Sequence, residues 1–189
     1  MATCSTPAEA PWHAAYPSPR STKAAGITRQ ELLKKMEDSG NDGTKPKNFL
    51  LVDLRRTDYE VRACLSFGHA TLLPSRPSGL FANITTVYRM QGGTIRGSIN
   101  LPAQSLYPSI PTLHILFKAA GLRSIIWYCG SSRGRGTRAA RWFQDYLDDC
   151  GDTGMESLVL LDGVAGWATG GAEYVGQMSD YAAKHWQKK

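Results

Sequence analysis

The sequence predicts an α/β protein in which helices cover both faces of a central parallel sheet. Two observations support that fold class. Short apolar runs of strand length alternate with helical patterns, and the runs "SIIWYC" and "SLVLL" are apolar enough to be buried on both faces. With 189 residues and 42% hydrophobic content the chain can bury a core of its own, so we expect a single domain over residues 27–189.

The first half of the chain contains clear helix and strand signals. Residues 1–26 are rich in Ala, Ser and Pro and predict a flexible N-terminal arm. Thr28, followed three residues later by Glu31, has the spacing of a capping box, which predicts a helix that begins there. The run "NDGTKPKN" ends this helix, and "FLLVDLR" predicts a strand.

The second half continues the alternation of strands and helices. The brief β-branched run "GSINLP" predicts a strand at 97–102, closed by a proline. A helix at 112–120 would end at Gly121, since glycine is the commonest residue just after a helix. The remaining pattern predicts the strand "SIIWYC", a helix at 137–149, the strand "SLVLL" and a terminal helix at 172–185.

Composition argues against several classes of protein. No apolar run approaches the ~20 residues that cross a bilayer, and the start lacks the order of a secretory signal, so we expect a cytoplasmic or nuclear protein that binds no membrane. The net charge of +6 comes from scattered basic residues, which do not predict nucleic-acid binding. The cysteines have neither disulfide-framework nor metal-ligand spacing, so we expect no metal site; they are Cys4, Cys64, Cys129 and Cys150.

One cysteine occupies a position where chemistry is common. Cys129 ends a predicted strand, at the edge where parallel sheets bind ligands, and the loop "CGSSRGRG" leads from it into a helix. The glycines of the loop and the free amides of the helix start can form an anion cradle. These amides and Arg135 would favour the thiolate of Cys129 and make it a nucleophile. The alternative is an inert cysteine in an ordinary turn.

Four segments extend this interpretation, because they occur in the order expected of a rhodanese domain: "LLVDLRRTDYE", "GGTIRGSINLP", "YCGSSRGRGTRAARWF" and "LLDGVAGWATGG". The region 49–169 resembles that family. The resemblance implies a three-layer fold with a central parallel sheet of about five strands and helices on both faces. The five residues between Cys129 and Arg135 resemble the branch of the cell-division-cycle phosphatases and the yeast-type arsenate reductases, which suggests a fungal source.

The resemblance also implies roles for individual residues. It makes Cys129 the nucleophile and Arg135 the clamp that holds the oxyanion. Asp53 and Arg55 match the family's Asp-x-Arg at the end of the first strand, where we expect a structural ion pair. The remaining loop residues would bind the oxyanion: Gly130, Ser131, Ser132, Arg133 and Gly134.

Two departures from the family pattern bear on the reaction. The family usually has His before the cysteine, where this chain has Tyr128, so one support for the thiolate is missing. Gly134 replaces the glutamate that precedes the loop arginine in the cell-cycle phosphatases, so the loop offers no general acid. We therefore expect an arsenate reductase without a bound cofactor, with glutathione or glutaredoxin as external reductant.

Other functions remain open at this stage. A tyrosine or dual-specificity phosphatase acting on phosphoproteins, a non-catalytic rhodanese-like binding module and, more weakly, a sulfurtransferase share the fold. Cys150 is rejected as an internal resolving thiol, because the helix places it ~15–20 Å from Cys129.

Several further residues have weaker assignments. Arg133 is a candidate for recruiting anionic substrate, and Arg138 lies in the first turn of the helix. Trp167 is predicted to be a core residue. The histidines are isolated in the sequence and are given no role: His13, His69, His114 and His185.

The segment 61–91 does not fit the rest of the pattern. It has 31 residues without Asp, Glu or Lys, and compact domains seldom contain so long a loop without helix or strand periodicity. Its removal joins Glu60 to Gly92 and restores the uninterrupted rhodanese pattern. We hypothesise that it is translated from a retained intron. The alternative is a genuine surface insertion, which costs little free energy.

Overall fold

The computed structural model describes residues 10–39, 47–56, 59–61 and 88–187. The strands are β1 (Ala25–Ile27), β2 (Phe49–Asp53), β3 (Tyr59–Val61), β4 (Tyr88–Met90), β5 (Thr94–Ile95), β6 (Ser98–Asn100), β7 (Ser124–Tyr128), β8 (Glu156–Leu160) and β9 (Met178–Ser179). The helices are α1 (Arg29–Asp38), α2 (Ala103–Ala119), α3 (Arg135–Cys150), α4 (Gly163–Ala168), α5 (Ala172–Val175) and α6 (Ala183–Trp186).

A five-stranded parallel sheet forms the centre, in the order β1-β8-β7-β2-β6. Strand β7 is in the middle, and all five of its residues are buried. Two short antiparallel pairs, β3 with β4 and β5 with β9, lie outside this sheet. The predicted α/β class, with a parallel sheet between helices, is confirmed.

The two faces of the sheet carry separate cores, because successive strand residues point to opposite sides. Ile125, Trp127 and Cys129 pack into a core with helices α2 and α3. Ile126 and Tyr128 pack into a second core with α1, α4 and α5. The cysteine therefore faces α3, whereas the residue before it faces away.

Helix α1 begins as the sequence predicted. The Glu31 amide donates to Thr28 Oγ1 at 3.2 Å, and Glu31 Oε2 accepts from the Thr28 amide at 2.8 Å, which completes the capping box. Leu32, Leu33 and Met36 form the buried stripe of the helix. The strand after it, β2, lies within the predicted run.

Two helices differ from the prediction. Helix α2 begins at Ala103 and not at the predicted residue 112, although Pro108 and Pro111 lie inside it. Both prolines are exposed, and the apolar stripe of Leu106, Ile110 and Phe117 packs against the core, so tertiary burial outweighs the missing amides. The predicted strand at 97–102 is correspondingly shorter, because Pro102 precedes the first turn of α2.

The predicted terminal helix at 172–185 is wrong. The chain instead forms two single turns, α5 and α6, separated by β9. Met178 is buried where β9 pairs with β5, and Asp180 has a left-handed φ of 55°, so the backbone cannot continue as a helix.

The described part of the N-terminal segment is packed rather than flexible. Residues 10–24 lie against α3, and β1 adds an edge strand to the sheet. Trp142 Nε1 donates to the Pro17 carbonyl at 2.8 Å, and Arg141 donates to the Ser21 carbonyl. The prediction of a flexible arm is therefore corrected for the described residues. Side chains of the distant helix α3 donate hydrogen bonds to the backbone carbonyls of this segment, and aromatic rings pack against it. None of the described helices is both long and apolar enough to cross a bilayer.

Candidate active site

The loop between β7 and α3 is fixed by the first turn of α4. The Val164 amide donates to the Cys129 carbonyl at 3.0 Å, and the Ala165 amide donates to the Gly130 carbonyl at 2.9 Å. These bonds hold Cys129 at the carboxyl end of the central strand, where its side chain is 4% exposed. Cys129 lines the cleft described below.

Gly163 allows the first turn of α4 to approach the cysteine loop this closely. Its φ is +58°, and a Cβ at this position would collide with the Cys129 carbonyl and lie 2.7 Å from the Gly130 carbonyl. Only glycine fits here without strain. Gly163 had no predicted role, although the Asp-Gly pair after a buried strand is a turn signal that could have identified it.

Ser132 has an internal role in the loop. It is buried with a left-handed φ of 56°, and its Oγ accepts the Cys129 amide at 3.4 Å. Its carbonyl accepts Thr137 Oγ1 at 2.6 Å, which ties the loop to the first turn of α3. Ser132 thus shapes the loop rather than lining the cleft.

The N-terminus of helix α3 lies next to Cys129. Gly134 is the N-cap residue, and no side chain caps the first turn. Amides at a helix start lack intrahelical partners and carry the positive end of the helix dipole. The 16-residue helix therefore presents N–H donors next to Cys129.

A cleft of about 790 Å³ opens over the loop. Its charged side chains are the half-buried Arg135 and Arg138, and none of the described residues that line it is Asp or Glu. Arg133 is exposed and lies outside the lining. The residues that line the cleft are Trp12, His13, Gln91, Gln104, Cys129, Gly130, Ser131, Gly134, Arg135 and Arg138.

The N-terminal segment supplies one wall of this cleft. His13 Nε2 lies 3.3 Å from Arg138 Nη2, and the Arg138 guanidinium stacks 5.7 Å from the centre of the Trp142 ring. Trp12 contacts Trp142 edge to face at 6.0 Å. No local pattern in the sequence could have indicated His13, because its partner is 125 residues away.

Gln104 lines the cleft and has a buried side-chain oxygen. Its Oε1 is buried and has no hydrogen-bond partner among the described residues. Buried polar atoms are nearly always paired, by protein, water or ligand.

Asp53 and Arg55 form a buried ion pair beside the site. Arg55 Nη2 donates to Asp53 Oδ2 at 2.6 Å, and Nε donates to Oδ1 at 3.0 Å. The same guanidinium donates to the Gln91 and Gly93 carbonyls at 2.9 and 2.7 Å. Because Gln91 lines the cleft, the pair positions one of its walls.

Tyr128 replaces the histidine that the family resemblance would place before the cysteine. Its ring points into the opposite core, where its hydroxyl bonds with Thr94 Oγ1 and Ser98 Oγ, both at 2.7 Å. Burial, and then the nearby Asp53 carboxylate, raise the pKa of Tyr128 well above its ordinary value. It is a protonated structural group and does not face the thiol.

The other candidate residues lie away from the cleft. Trp167 is a core residue as predicted, fully buried with Nε1 donating to the Tyr174 carbonyl at 2.8 Å. His114 pairs with Asp152 at 2.8 Å, and His185 is exposed. Cys150 is exposed at the far end of α3. Cys4, Cys64 and His69 fall outside the described residues.

The described part of the chain contains no group of three His, Cys, Asp or Glu side chains close enough to hold a metal ion. The groups that line the cleft include a thiol, two guanidinium groups, an imidazole and amides.

Comparison with known proteins identifies the class of fold. No protein-family model matches the chain, and no curated protein matches it. Solved structures of the rhodanese family do match, with a sheet and helix arrangement that covers most of the chain. The chain therefore has the rhodanese-like fold that the sequence predicted.

The matching structures include two of the Saccharomyces cerevisiae protein Ygr203w. One is described as a yeast protein tyrosine phosphatase of the rhodanese family; it is 21% identical, with a TM-score of 0.56 over 89% of this chain and 100% of that one. The other is described as a homologue of single-domain rhodanese and the Cdc25 phosphatase catalytic domain. It is 19% identical, with a TM-score of 0.57 over 86% and 91% of the two chains.

The As-Sb reductase from Leishmania major is a more distant match. It is 18% identical, with a TM-score of 0.49 over 74% of this chain and 73% of that one. The two Ygr203w structures, at 21% and 19% identity, show the fold alone.

Proposed function

We propose that the chain is a cysteine-dependent oxyanion enzyme and that it reduces arsenate. The observation that supports this most directly is the composition of the cleft. It combines the Cys129 thiol, the start of α3 and two arginines, and none of the described residues that line it carries a carboxylate. A tetrahedral anion fits amides and guanidinium, and arsenate needs no carboxylic acid built into the loop.

The first half-reaction joins sulfur to arsenic. The Cys129 thiol attacks H₂AsO₄⁻, an S–As bond forms, and one As–O bond breaks. The thiol proton leaves with that oxygen as water, so the product is a Cys129–S–AsO₃H⁻ adduct. Arg135 and the first amides of α3 hold the remaining oxygens, whose charge they stabilise as the bond forms.

The second half-reaction reduces arsenic. An external thiol attacks Cys129 sulfur, an S–S bond forms, and the electron pair of the S–As bond stays with arsenic, which passes from the +5 to the +3 state. H₂AsO₃⁻ departs, and a second external thiol reduces the mixed disulfide and restores Cys129. Glutathione and glutaredoxin are the proposed reductants. The reaction needs reduced thiols, so we place the protein in the cytoplasm or nucleus.

A phosphatase of the same branch is the second candidate. The cleft of about 790 Å³ is larger than a bare oxyanion requires, and the Trp12 ring forms part of its wall. An aryl phosphate, such as a phosphotyrosine side chain, would use that volume. A non-catalytic binding module is a third candidate, and it would leave Cys129 and Arg135 without a chemical role.

One experiment separates these candidates. Purified protein is assayed for arsenite production from arsenate with glutathione and glutaredoxin, and for hydrolysis of an aryl phosphate, with Cys129→Ser as control. We expect arsenite production that the variant lacks. Hydrolysis alone would support the phosphatase, and neither activity would support the binding module.

Alkylation tests anion binding separately. We expect saturating arsenate or phosphate to protect Cys129 from iodoacetamide, because the buried thiol lines the cleft that the anion would occupy. Exposed Cys150 is the internal reference, since its alkylation should not change.

A further inference from the structure

Arg138 is the second arginine of the cleft, and neither half-reaction of the proposed mechanism uses it. The side chain is half-buried and lines the same cleft as Cys129 and Arg135. Removing part of a guanidinium from water costs free energy unless other groups compensate its charge. The contacts of Arg138 therefore show whether the protein itself supplies that compensation.

Two contacts hold the Arg138 guanidinium against the wall of the cleft. A guanidinium has only donors, so Nη2 donates to His13 Nε2 at 3.3 Å. Its central carbon lies 5.7 Å from the centre of the Trp142 ring. Neither partner carries a negative charge, and among the residues that the structure describes no carboxylate pairs with Arg138. A guanidinium has further N–H donors, which can bind an anion.

The N-terminal segment keeps this arrangement in place. Trp142, the ring on which the guanidinium stacks, donates to the Pro17 carbonyl at 2.8 Å. Tyr16 Oη donates to the Gln104 carbonyl at 3.1 Å, which ties the segment to α2 as well. A binding group that is already held in position loses little conformational entropy when its ligand arrives.

The position of Arg138 on α3 separates it from Arg135 by one turn. It follows Arg135 by three residues, and side chains at this spacing lie on the same side of a helix. The Arg138 amide donates to the Gly134 carbonyl at 2.9 Å, so the residue belongs to the first turn. Its backbone is roughly 4.5 Å farther along the helix than that of Arg135. The cleft therefore has two cationic positions, one at the cysteine loop and one a turn beyond it.

Glutathione, the smaller of the proposed reductants, has an arrangement of groups that matches these positions. Its thiol must reach the Cys129 adduct in the cleft, and its glycine carboxylate adjoins the cysteine that carries the thiol. The cysteine and glycine together span roughly 7 Å when extended, so a carboxylate bound one turn beyond Arg135 is compatible with a thiol at the cysteine loop. The cleft of about 790 Å³ is also larger than a bare oxyanion requires.

We propose that Arg138 binds the glycine carboxylate of glutathione and positions its thiol for attack on the Cys129 adduct. This inference rests on the proposed function and names the binding residue for the second substrate. The planar guanidinium suits a carboxylate because two N–H groups can donate to its two oxygens. Arg138 itself exchanges neither a proton nor an electron.

The bonds and charges of the step balance without a further reactant. Cys129–S–AsO₃H⁻ and glutathione become the mixed disulfide of Cys129 and H₂AsO₃⁻. The S–S bond forms as the S–As bond breaks, and the electron pair of the broken bond stays with arsenic. The proton of the glutathione thiol leaves with the arsenite.

The glycine ethyl ester of glutathione provides the first test, because it keeps the thiol and masks the carboxylate charge. Arsenite production is measured at saturating arsenate, with glutaredoxin in excess. We expect the parent to use glutathione roughly 10-fold better than the ester in kcat/KM for the thiol. Arg138→Gln should lose this preference by slowing with glutathione alone, and Arg138→Lys should keep part of it.

Two controls separate binding of the reductant from other roles of Arg138. The KM for arsenate should stay within a few-fold of the parent in Arg138→Gln, because Arg135 and the loop hold the oxyanion. Arg123→Ala removes an exposed arginine just before β7, at the end of that strand opposite Cys129, and should behave as the parent with both thiols. Melting curves of all variants must match the parent before rates are compared, and the comparison of the two thiols in the parent needs no variant.

Thiol exchange gives a second measurement that does not depend on arsenate. Cys129 sulfur attacks oxidised glutathione, a mixed disulfide forms, and the other glutathione leaves as a thiolate. Mass spectrometry of the modified protein gives the rate. We expect Arg138→Gln to react several-fold more slowly than the parent with oxidised glutathione, and at the parent rate with the uncharged disulfide of 2-mercaptoethanol.

The outcomes distinguish this proposal from the proposed function. A parent that uses glutathione and its ester equally well, or an Arg138→Gln variant that slows equally with both, would overturn the carboxylate site. Equal slowing with both disulfides would overturn it as well. A parent that produces no arsenite would overturn the proposed reaction, and the exchange rates with the two disulfides would then decide whether Arg138 binds glutathione.

Discussion

Gly163 determines how closely helix α4 can approach the cysteine loop. We expect Gly163→Ala to cost ~1–2 kcal/mol for its left-handed φ, plus roughly 1–3 kcal/mol for the collision with the Cys129 and Gly130 carbonyls. Gly151→Ala is the matched control: its φ of 62° is similar, but an added Cβ meets nothing within 4 Å. Denaturant unfolding measures both. Equal losses of unfolding free energy in the two variants would contradict the close packing of α4 against the cysteine loop.

Tyr128 contributes hydrogen bonds in the core and no catalysis. Tyr128→Phe removes its bonds to Thr94 and Ser98, for which we expect a loss of about 1–2 kcal/mol of stability near neutral pH. Cys129 alkylation should stay as in the parent, because the two side chains face opposite cores. A large change in thiol reactivity would show that Tyr128 supports the nucleophile after all.

The raised pKa of Tyr128 gives this residue a pH signature. Folded protein keeps the phenol proton at pH values where unfolded chain releases it, so unfolding is favoured as pH rises above the ordinary tyrosine pKa of ~10. The stability advantage of the parent over Tyr128→Phe should therefore shrink above about pH 10. Unfolding free energies of both proteins across that range measure it, and a constant difference would contradict the assignment.

At the scale of elements, Trp142 joins α3 to the N-terminal segment. Trp142→Phe keeps an aromatic ring but loses the hydrogen bond to the Pro17 carbonyl, which should lower the free energy of unfolding by about 1 kcal/mol. We expect faster amide hydrogen exchange in residues 12–21. Trp167→Phe loses an equally short bond, to the Tyr174 carbonyl in the opposite core, and should leave exchange in that segment unchanged. Equal exchange in residues 12–21 of the parent and Trp142→Phe would contradict the attachment.

The elements also show what sequence patterns can and cannot predict. The sheet strands β2, β7 and β8 and the capping box of α1 were predictable, because apolar runs and local capping bonds depend on neighbours in the chain. The start of α2 was missed because burial of its apolar stripe outweighs two prolines. The terminal segment was misassigned because its pairing partner, β5, lies over 80 residues earlier.

The candidate site also contains some residues that the sequence could predict and others that it could not. Cys129 and Arg135 were indicated by one contiguous loop, and the structure places both in one cleft. The sequence grouped Ser132 and Arg133 with them. In the structure Ser132 is buried inside the loop, whereas Arg133 is exposed and does not line the cleft. His13 and Gln104 join the cleft only through the packing of distant segments, which no local pattern records.

At the scale of the whole molecule, segment 61–91 remains a proposed retained intron. Most of it falls outside the described residues, but β3 and β4 at its ends pair antiparallel, with Glu60 opposite Arg89. The chain therefore leaves and returns at neighbouring points. We expect a variant lacking 61–91 to fold with a melting temperature equal to or above that of the parent, since a shorter loop costs less closure entropy.

Two observations would contradict this hypothesis. A deletion variant that cannot fold would show that the segment belongs to the core structure. A spliced transcript that retains codons 61 to 91 in its main form would show that the segment is a genuine insertion.

The central claim is that Arg135 and Cys129 form one oxyanion site, and Arg135→Lys tests it most directly. Lysine keeps the charge but loses the planar pair of donors that holds two oxygens. In a variant whose melting curve matches the parent, we expect arsenite production to fall ~10²–10³-fold, while Cys129 still reacts with a neutral alkylating agent. Parent-like arsenite production by folded Arg135→Lys would contradict the assignment of the loop and the function proposed from it.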